Sequence, residues 1–312
     1  MARFGMPMRT FRRSKQARNA DEHLTYFTTA GARDFRSLVR QSFAEVGREV
    51  TVYADHVEDH AGAKFGLWNI GALCAGEEPR DWPEIIDDHV RRVTTPTQGL
   101  DDLTQDEFHE GLYLRLVEAA SLPEPEALGY AREVAPGLLE VLSVDLPDTV
   151  VTPPEDDLAA RGPLEELKAR GRENLRSLLT AEDVASQTVD PVDGGRFTVV
   201  IGEPFFTASL ALLLPEAVER FSGENDQGRG ILVAVPNRHS LLYRVVDGSD
   251  TALALHHMFQ TAIRGFGEQA GPLSANVYWV RNHRWVQVTS TDGDKPQVFL
   301  GDGLADALGT SR

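Results

Sequence analysis

Residues 196–246 read RFTVVIGEPFFTASLALLLPEAVERFSGENDQGRGILVAVPNRHSLLYRVV, and this stretch decides the fold. Runs of β-branched and aromatic residues predict three strands, at residues 197–201, 231–235 and 241–246. Between the first two strands, residues 206–221 have the length and apolar spacing of a helix. The last two strands meet at the tetrad PNRH, residues 236–239, which forms a polar corner in an otherwise apolar stretch.

The pattern continues toward the C-terminus. A helix is predicted around residues 255–266, and a hairpin follows at residues 276–280 and 284–289. The second half therefore reads β-α-β-β-α-β-β, which favours an α+β fold with mixed or antiparallel sheets and helices packed on one face. The first half has a looser α-β-β-α-β order. Two related α+β layers are an open alternative, although no residue-level repeat supports them.

The chain length of 312 residues predicts about two domains at roughly 150 residues each. Residues 147–162 contain three prolines and a group of acids, a composition typical of a linker. We therefore predict a basic flexible arm at residues 1–30, an N-terminal α+β domain at 31–146, a linker at 147–163 and a C-terminal domain at 164–312.

Charge is distributed unevenly along the chain. The first 18 residues carry six lysines and arginines and no acid, whereas the formal net charge of the whole chain is −17. A folded body this acidic is a poor ligand for the phosphate backbone, so we exclude nucleic-acid binding by it. The basic arm remains either a site for an anionic partner or a solvated tail.

Composition also indicates the compartment. No apolar run approaches the roughly 20 residues needed to span a bilayer, so we expect no membrane contact. The only cysteine, Cys74, lies between Leu73 and Ala75 and is expected to be a small core residue. A chain with one cysteine forms no internal disulfide, which fits a cytoplasmic location.

Several catalytic classes leave recognisable motifs that this sequence lacks. No Gly-x-x-x-x-Gly-Lys loop or Gly-x-Gly-x-x-Gly turn is present, and no Gly-x-Ser-x-Gly elbow. Ser209 lies inside a predicted helix, where its hydroxyl is expected to bond a main-chain carbonyl. We therefore assign no catalytic residue and no cofactor.

Two clusters have the residue types of a metal site. In the first, Asp55 to His60, an extended chain would separate His56 from His60 by about 13 Å, too far to share one ion. In the second, Asp106, His109 and Glu110 would share a helical face if that segment were helical, but no second matching pair is evident. Solvated loops are the alternative reading, and we assign no metal ligand.

The tetrad at residues 236–239 is the candidate ligand-binding site, formed by Asn237, Arg238 and His239. A turn between two buried strands presents these side chains at one end of a rigid sheet. Arg238 has the donor geometry to clamp a carboxylate or phosphate with two parallel hydrogen bonds. In the alternative interpretation, Asn237 serves turn geometry and Arg238 pairs with a surface acid.

Several short motifs resemble the YtpQ-like family of uncharacterised bacterial proteins (domain of unknown function 1444). They are Phe206-Thr207-Ala208-Ser209-Leu210, Val233-Ala234-Val235-Pro236-Asn237-Arg238, Glu173-Asn174-Leu175, Leu67-Trp68-Asn69 and Asp81-Trp82-Pro83. The likeness extends from about Phe35 to Asn282, and the acidic loops and basic arm depart from it. The resemblance implies a cytoplasmic α+β protein and supplies no catalytic residues.

These observations favour a non-enzymatic module that binds a partner protein or a small anionic ligand through the polar corner. The alternative from another class is a metal-dependent hydrolase that uses the Asp/His/Glu clusters. A third hypothesis, an acidic mimic that covers a basic partner surface, follows from the net charge and predicts binding that weakens steeply with salt.

Overall fold

The computed structural model describes residues 20–60, 62–94, 99–122, 125–147, 149–248, 250–291, 296–299 and 301–307. The chain divides into two compact units, residues 1–91 and residues 92–312. Helices and antiparallel sheets occur in both units, so the predicted α+β class is confirmed. The six cations of the basic arm lie outside the described residues.

The first unit packs three helices with a small sheet. The helices are α1 (Thr29–Glu45), α2 (Trp68–Ala75) and α3 (Trp82–Thr94), and the antiparallel strands, in spatial order, are β1 (Val50–Val52), β2 (His56–Asp59) and β3 (Lys64–Gly66). Phe35, Val39 and Phe43 recur at intervals of four, so they form one buried face of α1. Cys74 lies in the same core as predicted, and burial raises the pKa of its thiol to about 12.

Residues 20–30, which we predicted as part of the flexible arm, belong to this core instead. Leu24 and Phe27 are buried, and the Asp21 carboxylate accepts the backbone N–H groups of His23 and Leu24. The Arg36 guanidinium donates to both oxygens of Asp21 and holds the pKa of that carboxyl well below its usual range. The apolar residues in this stretch are what order it, because they bury against α1.

The second unit begins with a four-stranded antiparallel sheet. Its strands are β4 (Leu112–Glu118), β5 (Arg132–Ala135), β6 (Leu138–Asp145) and β7 (Val150–Val151). The order is β4-β6-β5, with β7 also paired to β6. The helices of this part are α4 (Gln105–Gly111), α5 (Glu155–Arg161) and α6 (Leu164–Ser177), with short 3₁₀ turns at Leu100–Asp102, Ala119–Ser121 and Pro125–Ala127.

A six-stranded antiparallel sheet follows. Its strands are β8 (Val184–Val189), β9 (Phe197–Gly202), β10 (Ile231–Asn237), β11 (Ser240–Val245), β12 (Val277–Arg281) and β13 (Arg284–Gln287), in the order β13-β12-β10-β11-β9-β8. The helices are α7 (Leu214–Ser222) and α8 (Thr251–Glu268), with 3₁₀ helices at Leu178–Thr180 and Thr207–Leu213. A two-stranded ribbon, β14 (Thr289–Ser290) with β15 (Gln297–Val298), and α9 (Asp302–Ala307) complete the described elements.

From β9 to β13 the predicted order β-α-β-β-α-β-β is confirmed, with two differences in detail. The predicted helix at residues 206–221 is a 3₁₀ helix up to Leu213 and an α-helix from Leu214, because Pro215 stands in the first turn of α7. The strand β8 was not predicted. Its four central residues are exposed on both faces at the sheet edge, so it shows no apolar alternation.

Both faces of the six-stranded sheet are covered, whereas the prediction had helices on one face. Leu232 and Ala234 of β10 pack with α8 in one core. Ile231, Val233 and Val235 point the other way, into a core shared with the 3₁₀ helix, α7 and the four-stranded sheet. Alternation along β10 is therefore apolar on both sides, and this explains its continuous hydrophobic run.

The division between the two units differs from the predicted one. The predicted linker, residues 147–163, contains β7 and α5, and Leu158 of α5 is 1% exposed. The core on the α7 side of the six-stranded sheet draws residues from both sides of this segment, from Phe108 to Val280. Three of the acids, Glu155 to Asp157, form the first turn of α5, and Pro154 precedes that helix. The segment lies inside one unit, because buried side chains on either side of it share a core.

Within the described residues, no helix combines the length and apolarity required to cross a membrane.

Candidate functional site

The polar corner lies at the end of a paired hairpin. β10 and β11 pair antiparallel along their length, which confirms the predicted pairing. A register shift between Ala234 and Asn237 interrupts the regular ladder just before the turn. The turn then places Asn237, Arg238 and His239 at one end of the six-stranded sheet.

Asn237 faces the interior, with 1% of its surface exposed. Its Nδ2 donates to Oε1 of Gln269 at 2.9 Å, and its Oδ1 accepts the backbone N–H of His239 at 3.0 Å. An asparagine that bonds the main chain two residues further on stabilises a turn. Both polar atoms of the Asn237 side chain are therefore hydrogen-bonded within the protein.

Arg238 is half-buried and held by its main chain on both sides. Its backbone N–H donates to the carbonyl of Gly271 at 2.9 Å, and its own carbonyl accepts the N–H of Ala208 at 3.0 Å. Its Nε donates to Nε2 of His239 at 2.9 Å. The guanidinium carbon lies 4.5 Å from the centroid of the Phe205 ring. The side chain therefore lies against an aromatic ring, and its outer nitrogens have no hydrogen-bond acceptor among the described residues.

His239 is held as a neutral ring with its proton on Nδ1. The Nε2 atom accepts from Arg238, so it carries no hydrogen, and Nδ1 lies 3.1 Å from the carbonyl oxygen of Gly202, to which it donates. Burial lowers the pKa of His239, and the charge of Arg238 lowers it further, while bonds to Gly202 and Glu203 oppose this shift. The ring acts as an acceptor that fixes Nε of Arg238.

A second arginine, Arg115 of β4, shares the Phe205 ring. Its guanidinium carbon lies 4.7 Å from the ring centroid, and its Nη1 donates to Oγ1 of Thr152 at 3.3 Å. The Thr152 hydroxyl is also 2.8 Å from that of Ser143. Arg115 was not identified from the sequence. The only signal is its position on β4 between Leu114 and Leu116, which alternation alone assigns to a solvent-facing side.

Contacts through the 3₁₀ helix bring β4 and the hairpin corner together. The hydroxyl of Ser209 accepts the backbone N–H of Leu116 at 3.0 Å, although we had expected it to bond a carbonyl. Tyr113 of β4 stacks on Phe206, with centroids 4.4 Å apart and planes 10° from parallel. Since Ala208 also donates to Arg238, the 3₁₀ helix is bonded both to β4, which carries Arg115, and to the turn that carries Arg238.

The two guanidiniums are like charges that act on each other, and no described carboxylate pairs with either of them. Burial lowers the pKa of Arg238, and it lowers the pKa of Arg115 to about 10, with a further contribution from the charge of Arg238. Within the part of the chain that the structure describes, neither guanidinium has a carboxylate within the ion-pair limit of 4.0 Å. Because burying an unpaired cation is costly, this arrangement favours an added negative charge.

The first predicted metal cluster is spread over a hairpin and engaged internally. Nδ1 of His56 lies 2.7 Å from Oδ1 of Asp55, and the His56 ring stacks on Tyr53 with centroids 4.5 Å apart. Asp59 is buried, pairs with Arg48 at 3.0 Å and accepts the N–H of Ala63.

The second predicted metal cluster is helical, as the hypothesis required, because Asp106, His109 and Glu110 all lie on α4. Nε2 of His109, however, lies 2.9 Å from Nε2 of Gln105. Over the described ranges, no three or more His, Cys, Asp or Glu side chains converge on a point where a metal ion could be held.

A cavity of about 470 Å³ lies at α5 and the start of α6. It is lined by Glu155, Leu158, Ala159, Gly162, Pro163 and Leu164. A single carboxylate is the only charged group of this lining, so the cavity does not bring together the several polar groups that fix a bound ligand.

The arginine pair therefore has the clearest chemistry of the described surface. Guanidinium forks bind carboxylates and phosphates through parallel charge-assisted hydrogen bonds. The neighbouring side chains, Phe205, His239 and Thr152, hold the forks in place. Comparisons of the chain with protein-family models, with curated proteins and with solved structures found no match.

Proposed function

We propose that this protein is a non-enzymatic binding module that captures an anionic group through Arg238 and Arg115. The group is carried by a small ligand or by a partner protein. In this proposal Arg238 and Arg115 contact the anion, His239 positions the Arg238 guanidinium, and Asn237 shapes the turn. We place the protein in the cytoplasm, in keeping with its single buried cysteine.

One observation carries the proposal: two half-buried guanidiniums share the Phe205 ring without a carboxylate partner among the described residues. Acids are abundant in this chain, with 48 against 31 basic residues. Two other arginines with little exposed side chain are paired with acids, since Arg36 lies 2.8 Å from Asp21 and Arg244 lies 2.6 Å from Asp247. Two arginines at one point without an acid among the described residues support a binding site for an external anion.

The same proposal disfavours a polyanion as the ligand. Without the six cations of the first 18 residues, 25 basic residues face 48 acidic ones, and long-range repulsion opposes the approach of an extended nucleic acid. A compact anion needs only the local field of the two arginines. Small ligands and single acidic side chains therefore fit this surface better.

We also propose that the chain is a member of the YtpQ-like family. In support, several of the motif residues make structural contacts in the same part of the protein. Ser209 bonds β4, which carries Arg115, Ala208 bonds the main chain of Arg238, and Asn237 shapes the corner. In another motif, Nδ2 of Asn174 donates to the carbonyl oxygens of His109 and Leu112, at 2.7 Å each, and so ties α6 to the start of β4.

Anion-dependent thermal stability tests the proposed function. The melting temperature of the wild type is measured in acetate, citrate and phosphate, each compared with chloride at constant ionic strength. At least one of these anions should raise it. Arg238→Met should lose that increase, because the methionine fills the space beside Phe205 without a donor. Arg220→Met is the matched control, since Arg220 also lies over a phenylalanine ring, at 5.7 Å from Phe221, but on the exposed face of α7.

Without ligand, Arg238→Met should change the free energy of unfolding by less than about 1 kcal/mol, because the lost cation–π contact is offset by removal of an unpaired charge. A full anion response in Arg238→Met would reject the assignment of the site. Absence of any response in the wild type would reject anion capture.

A further inference from the structure

We propose, as an extension of the proposed function, that the captured group is a phosphate monoester rather than a carboxylate. The chemical class follows from the hydrogen-bond donors that remain on the two arginines, from the total charge they present, and from the position of Thr152.

Each arginine keeps one complete two-donor edge. Nε of Arg238 is taken by His239, which leaves the outer edge formed by its Nη1 and Nη2. Nη1 of Arg115 is taken by Thr152, which leaves the side edge formed by its Nε and Nη2. No described residue accepts a hydrogen bond from these four nitrogens. A buried nitrogen without an acceptor would be an unsatisfied polar atom, and none of the four is one, so solvent reaches them.

Two such edges suit a phosphate better than a carboxylate. A carboxylate has two coplanar oxygens, and one guanidinium fork engages both of them, so a second fork would have to share the same two oxygens. A phosphate monoester has three terminal oxygens and can accept from two forks at once. The guanidinium carbons lie 4.5 and 4.7 Å from one ring centroid, and the charge of Arg238 acts on Arg115. In this proposal, therefore, one tetrahedral group bridges both arginines.

The charge on the site supports the same class. Arg115 and Arg238 are both cations at neutral pH, and each raises the electrostatic cost of partly burying the other. A monoester carries about −1.5 to −2 charges at pH 7, so it matches the pair, whereas a carboxylate or a phosphate diester supplies a single charge. The Thr152 hydroxyl, bonded to Arg115 and next to Ser143, adds a neutral O–H group beside the same guanidinium.

A series of aryl anions of different charge tests this inference by isothermal titration calorimetry on the full-length protein at fixed ionic strength. The probes are phenyl phosphate, its methyl diester and benzoate, which share an aromatic ring and differ in charge and in the number of free oxygens. We expect phenyl phosphate to bind at least tenfold more tightly than either of the others. Equal or tighter binding of benzoate would overturn the monoester assignment and leave anion capture standing, whereas binding of none of the three would overturn both proposals.

Variants test whether one group bridges both arginines. Arg115→Met and Arg238→Met should each weaken phenyl phosphate binding at least tenfold, and Arg220→Met should leave it unchanged. If a methionine variant fails to fold by circular dichroism, Arg115→Lys or Arg238→Lys replaces it, since lysine keeps the charge and lacks the fork. Unchanged affinity in either arginine variant, with the fold intact, would overturn the bridging geometry.

A further arm distinguishes the source of the phosphate. Phenyl phosphate and inorganic phosphate represent small ligands, and a phosphoserine tripeptide with neutral flanking residues represents a modified partner protein. Tighter binding of the small probes supports a small-molecule ligand, and tighter binding of the peptide supports a phosphorylated partner. Both results support the monoester class. Equal binding of the tripeptide with and without its phosphate would overturn that class.

Discussion

Arg238 is held in position by hydrogen bonds of its main chain and of its Nε atom. These bonds leave its two outer nitrogens available to bind an anion. The backbone is bonded to Gly271 on one side and Ala208 on the other, and Nε is bonded to His239. A side chain fixed at its base and along one edge loses little conformational entropy when it binds an anion. This geometry is the reason that we assign the contact with the anion to Arg238 rather than to Asn237 or His239.

Asn237 is predicted to contribute stability rather than affinity. Asn237→Ala removes the acceptor of the half-buried His239 N–H and leaves a gap at a position that is 1% exposed, which costs about 1–3 kcal/mol of unfolding free energy. Urea unfolding measures this loss. Asn225→Ala, at an exposed loop asparagine, is the control and should change the free energy by less than about 0.5 kcal/mol. A loss as small as that of the control would show that the corner tolerates an unpaired turn.

His239 is predicted to make stability depend on pH. Its pKa is lowered in the folded protein, so below the ordinary value of 6.5 the unfolded chain binds a proton that the folded chain resists. Stability is therefore fully present above pH 6.5 and falls as the pH drops from 6.5 toward the lowered pKa. Urea unfolding of the wild type and His239→Gln between pH 7.5 and 5 tests this. The variant should lose less stability over that range, and identical slopes would contradict the prediction.

At the scale of single residues, the sequence predicted the location of the corner but not its geometry. An Asn-Arg-His run between two strands indicates a polar turn, yet it does not tell which side chain turns inward. Arg115 could not be identified from the sequence for a different reason. Arg238, which contacts the same ring, is more than a hundred residues away in the chain, and tertiary bonds through Ser209 and Ala208 help to bring the two arginines to one ring.

The closest contact of α6 with its sheet is at Gly171. A methyl group there would lie 2.9 Å from the backbone nitrogen of Leu114 and 3.0 Å from the Leu142 side chain, so the helix packs directly on β4 beside Arg115. Glycine is required here by the close approach and not by its backbone angles. The position of β4 at the site therefore depends on this contact.

Gly171→Ala is predicted to destabilise the protein by about 1–3 kcal/mol, because the added methyl overpacks the helix against the sheet. Gly267→Ala is a matched control in α8, where a methyl group would meet nothing within 4 Å. That control should be neutral or slightly stabilising, since alanine is the better helix former. Thermal unfolding of both variants measures the difference, and equal melting temperatures would contradict the packing argument.

At the scale of elements, apolar alternation predicted β9 to β13 well because their side chains are buried. It failed at β8, whose polar residues lie at an exposed edge. It also failed to predict the 3₁₀ helix before α7, because the apolar run of residues 205–214 looks the same in either helix type. Pro215 sets the start of the α-helical part, and bonds to β4 and to the hairpin hold the 3₁₀ part before it.

At the scale of the whole molecule, the division of the structure differs from the one that composition suggests. Prolines and acids indicated a linker at residues 147–163, whereas the chain divides between Arg91 and Arg92, within the C-terminal part of α3. Each hydrophobic core draws its members from one unit, residues 24–90 in the first and residues 100–307 in the second. A boundary inside a helix leaves no turn residues or linker composition to detect.

A fragment of residues 92–312 is therefore predicted to fold alone and to bind phenyl phosphate as the full chain does. The fragment of residues 164–312 should not unfold cooperatively, because it lacks β4 and β6 and exposes one face of the six-stranded sheet. Near-ultraviolet circular dichroism during thermal unfolding separates the two outcomes. Cooperative unfolding of the shorter fragment would restore the boundary suggested by composition.

The most direct test of anion capture is to locate a bound anion. Tungstate has the shape and charge of a phosphate and scatters anomalously, so crystals soaked in it report the position of the anion. We predict an anomalous peak within hydrogen-bonding reach of both the Arg238 and the Arg115 guanidiniums. Tungstate bound only elsewhere, with both guanidiniums bare, would contradict the account.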